Sequence, residues 1–196
     1  MKPLHQFSLI MVLAFGCVVA ASLYCSAQHI HQQIRNMEGV WAGTLLIYQA
    51  EKGLVDSAKI ELNIIPISYN KPDNREWKWQ TIFESTKYGK ITKDYLLKAH
   101  QDSAYRYNLD EQNGILLPSF LLGSALYTRY ELAPQDWYMS CYELLPDGFT
   151  LRYEVVFGTN TPKTKHQSTV GTQTYTILGL GTSGSQRAYL TRKKRK

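Results

Sequence analysis

The sequence predicts an all-β protein, a single antiparallel up-and-down β-barrel of about 8–10 strands with a short N-terminal helical turn. Residues 37–48 form an unbroken β-type run that begins near Gly39 and Trp41, short strand patterns fill the rest, and no long segment has the helical period. The first strand must find a partner or lie open as an edge. Closing the sheet supplies that partner, and the Trp41 indole would then plug one end.

The elements follow from alternation and turn signals. Residues 28–38 are polar with a few apolar positions, which predicts the short helical turn. Asn113-Gly114 and Pro146-Asp147-Gly148 are strong turn signals, and a loop rich in Gly, Ser and Thr precedes the last strand. The predicted strands are 37–48, 56–67, 76–85, 91–100, 103–109, 114–120, 121–132, 137–144, 149–158, 169–178 and 187–192.

The N-terminal segment, residues 1–27, has the pattern of an export signal. Lys2 precedes an apolar stretch over 7–24, and the small residues Cys25 and Ala27 suit cleavage before Gln28. An uncleaved membrane anchor and a lipoprotein are the alternatives. We therefore expect an exported protein, periplasmic or secreted, whose barrel domain spans 28–191.

The charge distribution and the cysteines limit the possible partners. The excess of Lys and Arg lies in residue 2 and in 192–196, a basic tail expected to be disordered, so the barrel itself is formally neutral. This excludes a nucleic-acid-binding face and leaves membrane contact only to the signal segment or, weakly, to the tail. Cys141 would be the only cysteine after cleavage, so no internal disulfide is expected.

No motif for catalysis, a metal or a cofactor is visible. There is no Gly-x-Ser-x-Gly elbow and no metal-ligand spacing, and His29 and His31 are expected to be solvated. The segment 179–184 matches a dinucleotide-binding glycine pattern, but too few residues follow and none is acidic, which indicates a flexible hairpin loop. We therefore predict no catalytic residues, no metal, no cofactor and no enzyme activity.

Aromatic side chains are the unusual feature of the composition. Many fall at positions assigned to the inside of the barrel, where they would either fill an ordinary core or line a pocket for an apolar, partly polar molecule. The predicted ligand-binding residues are Trp77, Trp79, Phe83, Tyr105, Tyr107, Tyr130, Trp137 and Tyr153. Phe149 is also assigned inward.

Gly39-Val40-Trp41 resembles the Gly-x-Trp signature of the lipocalins and related calycin barrels. In that family a short helical turn precedes the motif, the Trp closes one end of the barrel, and a basic residue of the last strand packs across the indole. The resemblance implies that role for Arg187 or Arg192, with fatty-acid-binding and haem-binding nitrobindin-like barrels as neighbouring families.

The expected function is that of an exported, non-catalytic lipocalin-like barrel that binds a small apolar or amphipathic molecule. A barrel of this size has room for either side chains or one small ligand. One alternative is therefore an envelope structural or interaction protein with a filled barrel. A haem-binding nitrobindin-like barrel is the second alternative, in which a Tyr or His would be the axial ligand.

Overall fold

The computed structural model describes residues 31–68, 75–132 and 136–193, and these form one closed antiparallel barrel of ten strands preceded by a short helix. The predicted fold class is confirmed, at the upper end of the expected strand number. The predicted export segment and residues 194–196 lie outside the described residues. Within the described residues, no helix is long and apolar enough to cross a membrane.

The helix α1 spans Gln32–Asn36. The strands are β1 Gly39–Gln49, β2 Gly53–Pro66, β3 Glu76–Ser85, β4 Gly89–Ala99, β5 Arg106–Asp110, β6 Leu116–Leu122, β7 Ala125–Leu132, β8 Asp136–Leu144, β9 Thr150–Val170 and β10 Gln173–Arg192. Two predicted boundaries differ. Pro118 lies within β6, and Gly123, whose φ is +63°, turns the chain between β6 and β7 where one continuous strand was expected.

Each strand pairs with the next along the chain, and β1 pairs with both β2 and β10. Leu45 of β1, for example, lies opposite Ala58 of β2 and Ala188 of β10, and all three side chains are buried inside the barrel. Because side chains alternate between the two faces of a strand, this register places every second residue in the interior.

The Trp41 indole closes the end of the barrel at which β1 begins. The side chain is fully buried, its Nε1–H donates to the Met37 carbonyl oxygen at 2.7 Å, and the Arg192 guanidinium lies 4.5 Å from the ring centroid. Arg192 also donates to the Asn36 carbonyl oxygen at 2.6 Å, which ties the last strand to the end of α1. Gly39 adopts a φ of +140°, and the Arg192 side chain packs directly over it.

Two predictions about the last strand are corrected. Arg187 has no part in closure, because it lies on the outer face and donates through Nε to Glu154 at 2.9 Å. Arg192 belongs to β10 instead of a solvated tail, and the Lys193 backbone N–H donates to the Val40 carbonyl oxygen at 2.8 Å. The Lys193 ammonium pairs with Glu61.

A ring cluster lies beside Trp41 at the closed end. His31 Nδ1 is 2.9 Å from the Tyr107 hydroxyl, and the Trp77 Nε1–H donates to Glu38 Oε1 at 2.9 Å. His31 is 9% exposed, so the expectation of a solvated histidine is wrong. Burial, with help from the positive charges of Arg75 and Arg35, lowers the pKa of its imidazole.

The glycine-rich segment 179–184 is part of β10, so the predicted loop is wrong. A Cβ at Gly184 would overlap the Tyr48 carbonyl oxygen, and one at Gly158 would overlap the Gly181 carbonyl oxygen. The register of β9 and β10 shifts repeatedly over this segment. Glycine is therefore required because the backbones approach closely where the two strands leave the barrel.

Replacement of Arg192 by Ala should lower the free energy of unfolding by about 1 kcal/mol, because the cation–π contact and the bond to α1 are lost. Denaturant unfolding followed by Trp fluorescence measures the change. Lys59→Ala is the control, since its ion pair with Glu84 is 3.9 Å long and exposed. Equal effects of the two substitutions would contradict a closing role for Arg192.

Candidate ligand-binding cavity

A cavity of about 320 Å³ lies inside the barrel between the closed end and the opposite rim. This volume is at the lower end of the range for small-molecule sites. The lining residues come from all ten strands and from the β3–β4 turn: Leu45, Ile47, Asp56, Ala58, Thr81, Phe83, Ser85, Tyr88, Gly89, Ile91, Lys93, Tyr95, Leu109, Leu117, Thr128, Tyr130, Tyr138, Ser140, Tyr142, Tyr153, Val155, Phe157 and Gln186.

Aromatic rings form one wall of the cavity. Tyr130 stacks on Tyr138 with centroids 5.3 Å apart, and Tyr138 stacks on Phe157 at 5.8 Å. Tyr153 contacts Tyr142 at 5.1 Å, deeper in the barrel. These rings present apolar faces together with phenol hydroxyls, a combination suited to a ligand that is largely apolar and partly polar.

Two buried hydrogen-bond donors lie next to Tyr142 at the inner end of the cavity. The Trp79 Nε1–H and the Thr81 hydroxyl make no hydrogen bond of good geometry, although both are close enough to the Tyr142 hydroxyl to interact with it, and the Trp79 ring packs edge-on against Tyr142 at 5.0 Å. A buried polar group without a partner destabilises the fold by about 1–3 kcal/mol. The inner end therefore presents donors that an acceptor atom of a ligand, or an ordered water, would satisfy.

Lys93 extends this polar region toward the rim. It lies directly opposite Thr81 in the β3–β4 register and lines the cavity, but its side chain is exposed. Strand β5 pairs only with the last residues of β4, from Leu96 to Ala99, so no neighbouring strand pairs with β4 on that side at Lys93. We call Trp79, Thr81, Tyr142 and Lys93 the polar corner.

Four buried or half-buried tyrosines of the cavity are held in their neutral form. Burial raises the pKa of Tyr142 to about 12, although Trp79 and Thr81 are close enough to favour the phenolate slightly. Burial also raises the pKa values of Tyr95, Tyr130 and Tyr153. At neutral pH these phenols act as hydrogen-bond donors and acceptors without charge.

Six of the eight predicted ligand-binding residues lie inside the barrel, in two groups. In the first group, Phe83, Tyr130 and Tyr153 line the cavity, and Trp79 packs against Tyr142 at its inner end. Trp77 and Tyr107 belong to the ring cluster at the closed end. Their roles in ligand binding stay predictions.

The inward assignment is wrong for Tyr105, Trp137 and Phe149. Tyr105 precedes β5 and is 65% exposed, and Phe149 is 76% exposed in the turn before β9. Trp137 lies on the outer face beside Gly158, because Tyr138 and Ser140 are the inward residues of β8. An error of one residue in the phase of a strand reverses its two faces.

Five residues of the cavity were not among the predicted ligand-binding residues: Thr81, Lys93, Tyr95, Tyr138 and Tyr142. Residues alternate between apolar and polar over 76–85, and this alternation puts Thr81 on the same face as Trp77 and Trp79, so the sequence does carry a signal for its inward position. The sequence of β8 does not indicate which of its two faces points inward, because residues 137–142, Trp-Tyr-Met-Ser-Cys-Tyr, place apolar or aromatic residues on both.

The described residues include no cluster of His, Cys, Asp or Glu that could hold a metal ion. The histidines of the described residues do not line the cavity, and the raised pKa values of Tyr95, Tyr130, Tyr142 and Tyr153 disfavour the phenolate that haem ligation would use. The residues present therefore do not fit haem. Burial raises the pKa of the Cys141 thiol, which disfavours the nucleophilic thiolate.

The free energy of unfolding should fall as the pH rises above about 10, the pKa of phenols in an unfolded chain. The folded state keeps the proton of Tyr142 up to about pH 12, so the unfolded state is favoured as its own phenols ionise. Replacement of Tyr142 by Phe should reduce this slope, measured by denaturant unfolding at a series of alkaline pH values. An unchanged slope would contradict the buried position of this phenol.

The comparisons with known proteins concern the fold. No protein-family model matches the sequence, and no curated protein matches it significantly. An S-type phycobiliprotein lyase from Guillardia theta has a similar structure, with a TM-score of 0.57 over 85% of this chain and 94% of that chain, at 9% sequence identity. This likeness concerns the barrel fold alone. The prediction that the chain is not an enzyme is corrected by the same finding, since a protein with this architecture is named a lyase.

Proposed function

We propose that the barrel binds a small amphipathic molecule in its cavity, with a hydrogen-bond acceptor of the ligand at the polar corner. The observation that carries the proposal is that two buried donors, on Trp79 and Thr81, make no hydrogen bond of good geometry next to Tyr142. Thr81 and Tyr142 line the inner end of the cavity, and Trp79 packs behind Tyr142. Stability alone would favour apolar groups at both positions. A ligand acceptor accounts for their presence.

The chemistry of the lining indicates the class of ligand. The aromatic wall suits an elongated or planar apolar body, and Thr81 and Tyr142 suit a carbonyl or carboxyl oxygen. Lys93 and Asp56 are the charged residues among the described lining residues. Because Lys93 lies next to Thr81 in the register, it is placed to neutralise a carboxylate.

The alternatives of the sequence analysis have less support. A filled barrel would leave no cavity of about 320 Å³, and the lining offers no suitable axial ligand for haem. The structural likeness to a phycobiliprotein lyase favours a bilin as one ligand to be tested, and it also favours a test for a chemical change of the bound molecule.

Mass spectrometry under native conditions, on protein purified from its own host, should detect a small molecule that co-purifies with the chain. In parallel, palmitate, retinal and biliverdin should quench or shift the Trp fluorescence of the protein without ligand. The absorption spectrum of bound biliverdin, followed over time, reports any chemical change. A protein without a co-purifying molecule and without a response to any of these probes would contradict the proposal.

Replacement of Thr81 by Val should change stability and binding in opposite directions. The loss of a buried hydroxyl that makes no hydrogen bond of good geometry should raise the free energy of unfolding of the empty protein by about 1 kcal/mol, whereas probe affinity should fall about tenfold. Thr92→Val on the outward, exposed face of β4 is the control and should change neither. A parallel fall in both quantities would indicate a structural role for Thr81.

Replacement of Lys93 by Met separates acidic from neutral ligands. This substitution keeps the apolar stem but removes the charge, so it should weaken palmitate binding about tenfold and leave retinal binding unchanged. Lys90→Met is the matched control, because Lys90 lies on the same strand and faces outward opposite Glu84. Equal weakening by both substitutions would show a general effect of surface charge.

We further propose that the chain is exported and that residues 1–27 are removed. The order of Lys2, an apolar stretch and the small residues Cys25 and Ala27 supports this proposal. N-terminal sequencing of protein from its own host should begin at Gln28. A chain that begins at Met1 would contradict cleavage.

A further inference from the structure

Strands β9 and β10 extend beyond the barrel as a two-stranded ribbon. The pairing of β8 with β9 ends at Asp136 and Thr159, and the pairing of β1 with β10 ends at Gln49 and Gly184. Residues 160–180 therefore pair only with one another among the described strands. We call this ribbon the arm.

The arm has unpaired backbone edges and exposed apolar side chains, which pairing with additional strands would cover. A two-stranded ribbon in water is only marginally stable, and its outer backbone edges are open to pairing. Apolar side chains of the arm are solvent-exposed, among them Val170 (68%), Tyr175 (48%) and Ile177 (53%). No other described element covers either edge.

The two edges of the arm differ in their protection. The β9 edge contains Pro162, Lys163 and Lys165, and proline and lysine are the residues that commonly prevent strand addition. The β10 edge over 173–178 reads Gln-Thr-Tyr-Thr-Ile-Leu, which has neither charge nor proline and consists mainly of good strand formers. The β9 edge is therefore protected over residues 162–165, and the β10 edge is free to pair over residues 173–178.

We propose that two copies of this chain pair through the β10 edges of their arms, antiparallel about a two-fold axis, to form a four-stranded sheet. Because residues 173–178 carry no charge, two copies oppose no like charges when they pair. Such an interface is self-complementary and uses the same segment of both copies.

The protected edge explains why the assembly would stop at two copies. In the four-stranded sheet both outer edges belong to β9, so each presents Pro162 and the two lysines. These residues oppose addition of a further strand, and the sheet does not grow into a fibre. The pattern of the arm thus fits a closed dimer.

The test compares two double substitutions by sedimentation equilibrium of the full chain over the micromolar range. Thr174→Lys with Thr176→Lys places two charges on the β10 edge. Thr169→Lys with Gln167→Lys is the matched control, because these residues lie directly opposite on β9 and all four side chains are exposed. Both pairs of substitutions also remove the contact between Thr169 and Thr174.

We expect the unmodified chain and the β9 control to be dimers, and the β10 variant to dissociate with a dissociation constant raised at least about tenfold. Circular dichroism verifies that each variant keeps its strand content. A monomeric unmodified chain, or equal dissociation of the two variants, would overturn the proposal. A monomer that binds anionic phospholipid vesicles through the arm would also overturn it, since the exposed apolar residues and lysines would then serve a membrane surface.

Discussion

The pairing of β1 with β10 is the contact on which the remaining structure depends. A meander of strands has two open edges until its first and last strands pair, and this pairing turns the sheet into a closed wall. The stack of Arg192 on Trp41 stands at one end of the seam, and Gly184 stands at the other, where only hydrogen fits beside the Tyr48 carbonyl oxygen. The cavity lies between these two ends, and the arm begins where the seam stops.

The cavity follows from the number of strands and from the residues at its inner end. A barrel widens as strands are added, so ten strands enclose space that their side chains need not fill. The aromatic wall is ordinary for a barrel interior, but the buried donors of Trp79 and Thr81 make no hydrogen bond of good geometry. Such groups cost stability, and this cost is commonly found where a site awaits a ligand. The polar corner therefore lies at the inner end of the cavity, toward the end of the barrel that Trp41 closes.

Sequence patterns predicted the parts of this structure that depend on local chemistry. The Gly39-Trp41 strand, the turns at Gly114 and Gly148 and the short initial helix all appear where local residues require them. It was harder to predict which side chains face the interior. Strand β8 carries aromatic or apolar residues on both faces, and its pairing with β7 and β9 decides which face is inside. The glycine-rich segment was predicted to be a loop because its glycines are required by tertiary contacts, which the sequence does not show. The backbones of Gly158 and Gly181 approach each other closely, and that of Gly184 approaches Tyr48. Of the polar corner, the inward positions of Trp79 and Thr81 could be predicted from the alternation of residues in β3, whereas those of Tyr142 and Lys93 could not.

A crystal structure of protein purified from its own host tests the central claim most directly. We expect density for an elongated or planar molecule along the aromatic wall, with an oxygen atom within hydrogen-bonding distance of Trp79 Nε1 or Thr81 Oγ1. An interior filled by side chains, with both donors satisfied by groups of the protein itself, would contradict the account.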